Sequence, residues 1–70
     1  MEPVTVNSSV VAQVQFLEGS NILKVVFHSG RAYRYFMVPR RVYEALIKAD
    51  SIGRYFNLQV KDCYSFERLT

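Results

Sequence analysis

Residues 10–38 alternate apolar and polar side chains with a period of two, and this pattern limits the fold more than any other feature of the 70-residue chain. Such alternation is typical of strands that bury one face. It predicts three strands, at residues 10–17, 22 to 27 or 28, and 31–38. Turn-forming residues separate the strands at 18–21 and 28–30. Because short loops join consecutive strands, we expect a three-stranded antiparallel meander.

The loop between the second and third strands decides which side chains share a face of the sheet. A two-residue turn would place Val25 opposite Arg34 and put a charge among apolar side chains. A three-residue loop that ends in Gly30, at the left-handed position of a bulged turn, instead pairs Val25 with Tyr33. It also brings Tyr35 to the same face, since a one-residue slip moves every side chain across the sheet. We therefore predict the three-residue loop, with Tyr33 and Tyr35 facing the core.

Two helices are expected after the sheet. Pro39 ends the third strand and suits the first turn of a helix, which the apolar spacing extends over residues 39–50. Its core-facing set is predicted to be Val42, Ala45, Leu46 and Ala49. Asp50 or Ser51 would cap a second, shorter helix. That helix would turn Ile52, Tyr55 and Phe56 inwards.

Together these elements predict an α+β domain over residues 10–70, a three-stranded antiparallel meander followed by two helices packed on one face. In the first strand we expect one set of side chains to face the core: Val10, Ala12, Val14 and Phe16. Residues 1–9 are polar and are predicted to form an N-terminal arm. The tail, residues 61–70, stays open between an extended chain and a fourth strand. Its apolar residues would continue the core: Tyr64, Phe66 and Leu69.

Composition narrows the function without identifying it. The net charge is +3, and residues 31–54 hold six basic and two acidic side chains, a local charge of +4. That balance permits contact with nucleic acid but does not require it. No apolar run approaches the ~20 residues that cross a bilayer, and residues 1–15 lack the pattern of a signal peptide. We therefore expect no membrane contact and a cytoplasmic location in a bacterial-type cell.

No catalytic or metal-binding set is apparent. His28 is the single histidine and Cys63 the single cysteine, so a structural zinc site lacks ligands and an internal disulfide is impossible. We interpret Cys63 as a small buried hydrophobic residue. The three glycines do not form a phosphate-binding loop. The sequence thus predicts a protein that is not an enzyme and that needs neither a metal nor another cofactor.

The sheet face opposite the two tyrosines, which we call the outer face, is the candidate binding surface. Phe36 would stack on a base while Lys24 and Arg34 contact phosphates. Arg40 and Arg41 would extend this surface as a phosphate-facing edge together with Lys48 and Arg54, or these four would simply form the solvated side of a helix. We take the first two of them, with Lys24, Arg34 and Phe36, as the five candidate site residues. The same face is also predicted to carry apolar side chains: Val11, Ile22, Val26 and Val38. Those would instead favour burial in a homodimer or against another protein, and both alternatives stay open.

Several ordered motifs resemble the KTSC domain over about residues 8–68. They are Tyr33-x-Tyr35, Val38-Pro39-x-x-Val42-Tyr43 and Ser51-x-Gly53-x-Tyr55-Phe56-Asn57. The family is named for a segment at the C-terminus of some lysyl-tRNA synthetases, and it also occurs as small stand-alone bacterial and phage proteins. The resemblance implies a small domain and brings no established activity with it. Through its association with the synthetases, it also implies a role in RNA binding.

Overall fold

A five-stranded antiparallel sheet forms one layer of the computed structural model, which describes residues 1–70, and two helices form the other layer. The strands follow one another in the sheet in chain order: β1 Val4–Thr5, β2 Val11–Leu17, β3 Ile22–Phe27, β4 Ala32–Tyr35 and β5 Phe66–Arg68. The helices are α1, Arg40–Lys48, and α2, Ile52–Gln59. The predicted α+β class with two helices is confirmed. The predicted strand number is wrong, because a short strand from each end of the chain pairs with an edge of the meander.

The predicted hairpin between β3 and β4 is confirmed. Val25 lies opposite Tyr33. The backbone N–H of Phe27 donates to the carbonyl of Arg31 at 2.9 Å, which closes a three-residue loop. Gly30 has a φ of +95°, the left-handed conformation that side chains disfavour. This register places Tyr35, only 3% exposed, in the core.

The first strand differs from its prediction at its start. A register shift between residues 11 and 13 leaves Ala12 without a partner on β3, which is the signature of a β-bulge. The bulge turns Val11 into the core, where it is fully buried, and leaves Val10 half exposed. Val14 and Phe16 are buried as predicted. The prediction that Val10 and Ala12 face the core together with Val14 and Phe16 was therefore wrong, because a period-two pattern does not show where a bulge inserts an extra residue.

The helices pack through aromatic and aliphatic side chains onto one face of the sheet. Tyr43 of α1 stacks on Phe16 of β2 with ring centroids 5.3 Å apart. The buried residues of α1 are Tyr43 and Leu46, while Ala45 is exposed. The core-facing side of α1 therefore differs from the predicted set, which included Ala45 and left out Tyr43. Ser51 caps α2 by accepting a hydrogen bond from the backbone N–H of Arg54 at 3.3 Å. One core cluster results: Val11, Val14, Phe16, Leu23, Val25, Tyr35, Val38, Tyr43, Leu46, Ile52, Phe56 and Val60.

Two apolar residues predicted on the outer face are buried instead. Val11 is turned inwards by the bulge. Val38 is turned inwards by Met37, whose φ of 57° bends the chain after β4. The Val38 backbone N–H then donates to the carbonyl of Asn21 at 2.9 Å. The interpretation of Cys63 was also wrong, since this thiol lies exposed in the turn that precedes β5.

Candidate functional site

The outer face brings together three of the five residues predicted to bind nucleic acid. Lys24 and Arg34 are direct partners across β3 and β4. Phe36 extends β4 by donating its backbone N–H to the carbonyl of Ser65, and its side chain is half-buried. Arg34 is already occupied, because its Nη2 lies 3.0 Å from Oε1 of Glu67 and its Nε is buried without a partner. Lys24 is thus the free cation of this surface.

The other two predicted residues lie on α1 and not on the sheet. Arg40 begins the helix and forms ion pairs with Glu18 and, at 3.5 Å, with Glu44. Arg41 is exposed and belongs to none of the three ion pairs of the chain. Lys48 and Arg54 also belong to none of them, so Arg40 is the one residue of the predicted phosphate-facing edge with a carboxylate partner. Two of the five candidate residues, Arg34 and Arg40, are thus already paired with carboxylates.

A groove on the opposite side of the sheet has a different composition. It encloses about 560 Å³ where β3, β4 and β5 meet α2, and five aromatic side chains line it: Phe27, Tyr33, Tyr35, Phe56 and Phe66. We call it the aromatic groove. The Phe66 ring is 56% exposed, whereas Tyr35 and Phe56 are buried at its base. Its volume falls within the range of small-molecule sites, about 300–1,000 Å³.

The strand register explains why these rings meet. Tyr35 lies opposite Phe66 across β4 and β5, with ring centroids 5.7 Å apart. Tyr33 stacks on Tyr35 along the strand at 6.3 Å and lies 5.6 Å from Phe66. Side chains two apart on a strand share a face, so the Tyr-x-Tyr spacing delivers both rings to the groove. Phe56 reaches the same place from α2, with its centroid 5.4 Å from that of Tyr35.

Charged side chains surround the aromatic groove without neutralising one another. Arg31 and Lys61 line it, and neither belongs to any of the three ion pairs. Arg68 lies beside Tyr33 across the β4–β5 ladder, and its Nε donates to the backbone oxygen of Thr70. Asp62 is the single carboxylate in the lining. Three cations and one anion give this region a local charge of +2.

Polar groups complete the lining. The Nε2 of His28 lies 2.8 Å from the carbonyl oxygen of Ser8, so it ties the β3–β4 loop to the segment before β2. Burial raises the pKa of Tyr35 to about 12, and the charges of Tyr33 and Asp62 add to this rise. The Tyr35 hydroxyl therefore stays protonated to higher pH than that of an ordinary tyrosine, and in this form it is a neutral hydrogen-bond donor.

The sequence reading missed the aromatic groove. The sequence predicts that Tyr33 and Tyr35 face the core and that Phe66 continues it. Tyr35 is indeed core, but Tyr33 is only half-buried and Phe66 is mostly exposed. The Tyr-x-Tyr spacing was the available signal. The contact of Phe66 with these rings depends on β5, which pairs over about thirty residues of chain.

The structure offers no metal site and no membrane span. Nowhere do three or more His, Cys, Asp or Glu side chains gather closely enough to hold a metal ion. Neither helix has the length and apolar character needed to cross a membrane. The aromatic groove itself presents aromatic faces, cations and a few hydrogen-bonding groups.

Comparison with known proteins identifies the family. The KTSC domain model matches residues 7–64. An uncharacterized protein of Stutzerimonas stutzeri is 44% identical over 57 residues, which are 81% of this chain and 80% of that protein. A lysine–tRNA ligase of Nostoc punctiforme is 39% identical over 62 residues, which are 89% of this chain but only 11% of the enzyme.

A solved structure supports the same assignment at the level of fold. The crystal structure of a KTSC domain protein from Yersinia pestis superposes with a TM-score of 0.91, covering 99% of this chain and 97% of that one. Sequence identity between the two is 24%. The resemblance found in the sequence is thus confirmed, and this chain belongs to the KTSC domain family.

Proposed function

We propose that this chain is a non-catalytic module that binds single-stranded nucleic acid, RNA in particular, by taking an unpaired base into the aromatic groove. The observation that carries this proposal is the position of the exposed Phe66 ring and the half-buried Tyr33 ring beside Arg31 and Lys61, two cations without carboxylate partners. We place this function in the cytoplasm, where single-stranded RNA is available.

The pairing of ring faces with free cations suits a single strand. Base stacking on an aromatic side chain contributes about 1–3 kcal/mol per base and tolerates any sequence. Phosphates beside the stacked base would contact Arg31 and Lys61. Because neither cation is paired with a carboxylate, no ion pair has to be broken first. A base held in a duplex cannot enter such a groove unless it is unpaired, so single strands are favoured.

The names of two relatives support an RNA ligand. Two relatives are named lysine–tRNA ligases, one from Nostoc punctiforme and one from Trichormus variabilis, and the chain spans 11% of each. By their names these enzymes act on tRNA, and we propose that the stand-alone counterpart of the domain they carry also contacts RNA.

Fluorescence anisotropy with a labelled single-stranded RNA tests this function through a matched pair of charge reversals. Lys61→Glu alters the aromatic groove, and Lys48→Glu alters the exposed end of α1, yet both lower the net charge equally. We expect Lys61→Glu to weaken binding about tenfold, since a charged hydrogen bond contributes about 1.5–3 kcal/mol. Lys48→Glu should change affinity less than about threefold, as surface charge alone acts weakly.

Salt dependence and an outer-face variant complete the experiment. Phosphate contacts make affinity fall as salt rises from about 50 to 200 mM. Equal effects of Lys61→Glu and Lys48→Glu, or no binding at about 100 µM protein, would contradict the proposal. A large loss in Lys24→Glu, with none in Lys61→Glu, would assign binding to the outer face, the second candidate surface. That surface comprises Lys24, Arg34 and Phe36, whereas Arg40 and Arg41 lie apart from it on α1.

Self-association is the second candidate function, and one observation favours it. Ile22, Val26 and Phe36 are only half-buried on a sheet face over which neither helix packs. Apolar side chains in such a position gain from burial against a second copy. Light scattering of the wild type and of Phe36→Asp tests this alternative. A concentration-dependent dimer that Phe36→Asp disrupts would support it, and a monomer in both would exclude it.

A further inference from the structure

We infer, on the basis of the proposed function, that the aromatic groove prefers guanine, because the Asp62 carboxylate receives two adjacent N–H groups of that base. Asp62 is the single carboxylate in the lining and belongs to none of the ion pairs of the chain. A free carboxylate repels phosphate and accepts hydrogen bonds, so its favourable partner on a bound nucleotide is the donor edge of a base and not the backbone. The preference follows from that orientation.

The two oxygens of an ionised carboxylate only accept hydrogen bonds, and they best match two parallel donors. Guanine presents such a pair, N1–H and the N2 amino group, on its Watson–Crick edge. Adenine and cytosine each offer one amino group beside an acceptor nitrogen, which a carboxylate opposes. Uracil offers one N–H between two carbonyl groups. Asp62 therefore discriminates in favour of guanine and against the other three bases.

The rest of the groove fits a purine with a carbonyl group. Its volume of about 560 Å³ accommodates a two-ring base lying against the exposed Phe66 ring. Asn57 lines the same groove, and its side-chain amide has N–H groups that can serve a carbonyl such as O6 of guanine. Arg31 and Lys61 remain for the phosphates on either side. Each charge in the lining thus has a partner of opposite character on a guanine nucleotide.

Competition binding with four short RNA strands tests this inference. Each is an oligo(U) strand whose central residue is G, A, C or U, and each competes with a labelled reference strand. The wild type should bind the G strand about tenfold more tightly than the others, within the range for a bidentate base contact. In Asp62→Asn the four affinities should agree within about twofold. The U strand should bind that variant at least as well as it binds the wild type.

Asp50→Asn is the matched control, because it removes the charge of another exposed aspartate that lies outside the groove. It should keep the preference for the G strand. Equal affinity of all four strands for the wild type, or a preference that survives in Asp62→Asn, would overturn the inference while leaving RNA binding intact. Failure of every strand to bind would instead contradict the proposed function, and the guanine preference with it.

Discussion

Replacement of Phe66 by alanine separates what the aromatic groove does for binding from what it does for folding. The ring is 56% exposed, and its contacts are the rings of Tyr33 and Tyr35 at 5.6 and 5.7 Å. Full burial of such a side chain contributes about 1.5–3 kcal/mol, so a ring less than half buried contributes about 1 kcal/mol. The two aromatic contacts raise the expected loss in the free energy of unfolding to about 1–2 kcal/mol.

The expected loss in RNA binding is larger. A stacked base gains about 1–3 kcal/mol, and Phe66 is the most accessible ring in the groove, so Phe66→Ala should raise Kd about 5- to 150-fold. Urea denaturation measures the first quantity and fluorescence anisotropy the second. Phe56→Ala provides the contrast, because that ring is only 4% exposed and its loss should cost about 3–5 kcal/mol of stability.

Two results would refute this reasoning. An affinity within about twofold of the wild type, with the expected small loss of stability, would show that no base stacks on Phe66. A loss of stability above about 3 kcal/mol would show that Phe66 belongs to the core.

Three further predictions concern stability and charge. Tyr35 has a pKa raised from 10.0 to about 12 in the folded protein, so the unfolded chain loses this proton first and stability falls as pH rises from 10 to 12. The loss is about 1.4 kcal/mol per pH unit, and urea denaturation should show Tyr35→Phe to lack this component. Gly30→Ala should lower the free energy of unfolding by about 1–2 kcal/mol, because an added Cβ meets no atom within 4 Å and only the positive φ opposes it. An unchanged urea midpoint would show that the positive φ imposes no strain on alanine at this position. Glu67→Gln frees Arg34 from an exposed ion pair, and it should cost at most about 1 kcal/mol of stability. The same variant should leave RNA affinity within about twofold, whereas a marked gain would indicate binding on the outer face.

The register of the β3–β4 hairpin could be predicted because both its loop and its faces carried information. Gly30 marked the left-handed position, and only the three-residue loop kept Arg34 away from the apolar face. The first strand offered no such constraint. Val10 and Val11 are both apolar, so alternation could start from either, and the bulge at Ala12 decided the outcome through contacts with β3.

The edges of the sheet could not be predicted from local pattern. β1 has two residues and β5 has three, which is too short for alternation to be recognised. Both form because an existing edge offers unpaired backbone groups, which is a tertiary effect. Since β5 carries Phe66 to the two tyrosines, the aromatic groove inherits this dependence. The Tyr-x-Tyr part of the groove could be predicted from the sequence, whereas the contribution of Phe66 could not.

The candidate outer-face residues were predicted from their side of the sheet, and Lys24, Arg34 and Phe36 do lie on one face. Their partners were beyond reach of the sequence. Glu67 meets Arg34 only because β5 pairs with β4, and Glu18 meets Arg40 across 22 residues of chain. Charge counts along the sequence therefore overstated the free positive charge at these positions.

Isotope-filtered NMR of the protein with a short single-stranded RNA tests the central claim most directly, because it reports which rings lie against the bases. The account predicts nuclear Overhauser contacts between base protons and the ring protons of Tyr33 and Phe66. It predicts none to Phe36, which lies on the outer face. Contacts to Phe36 without contacts to Phe66, or no contacts at a saturating RNA concentration, would contradict the assignment of the aromatic groove as the site of base binding.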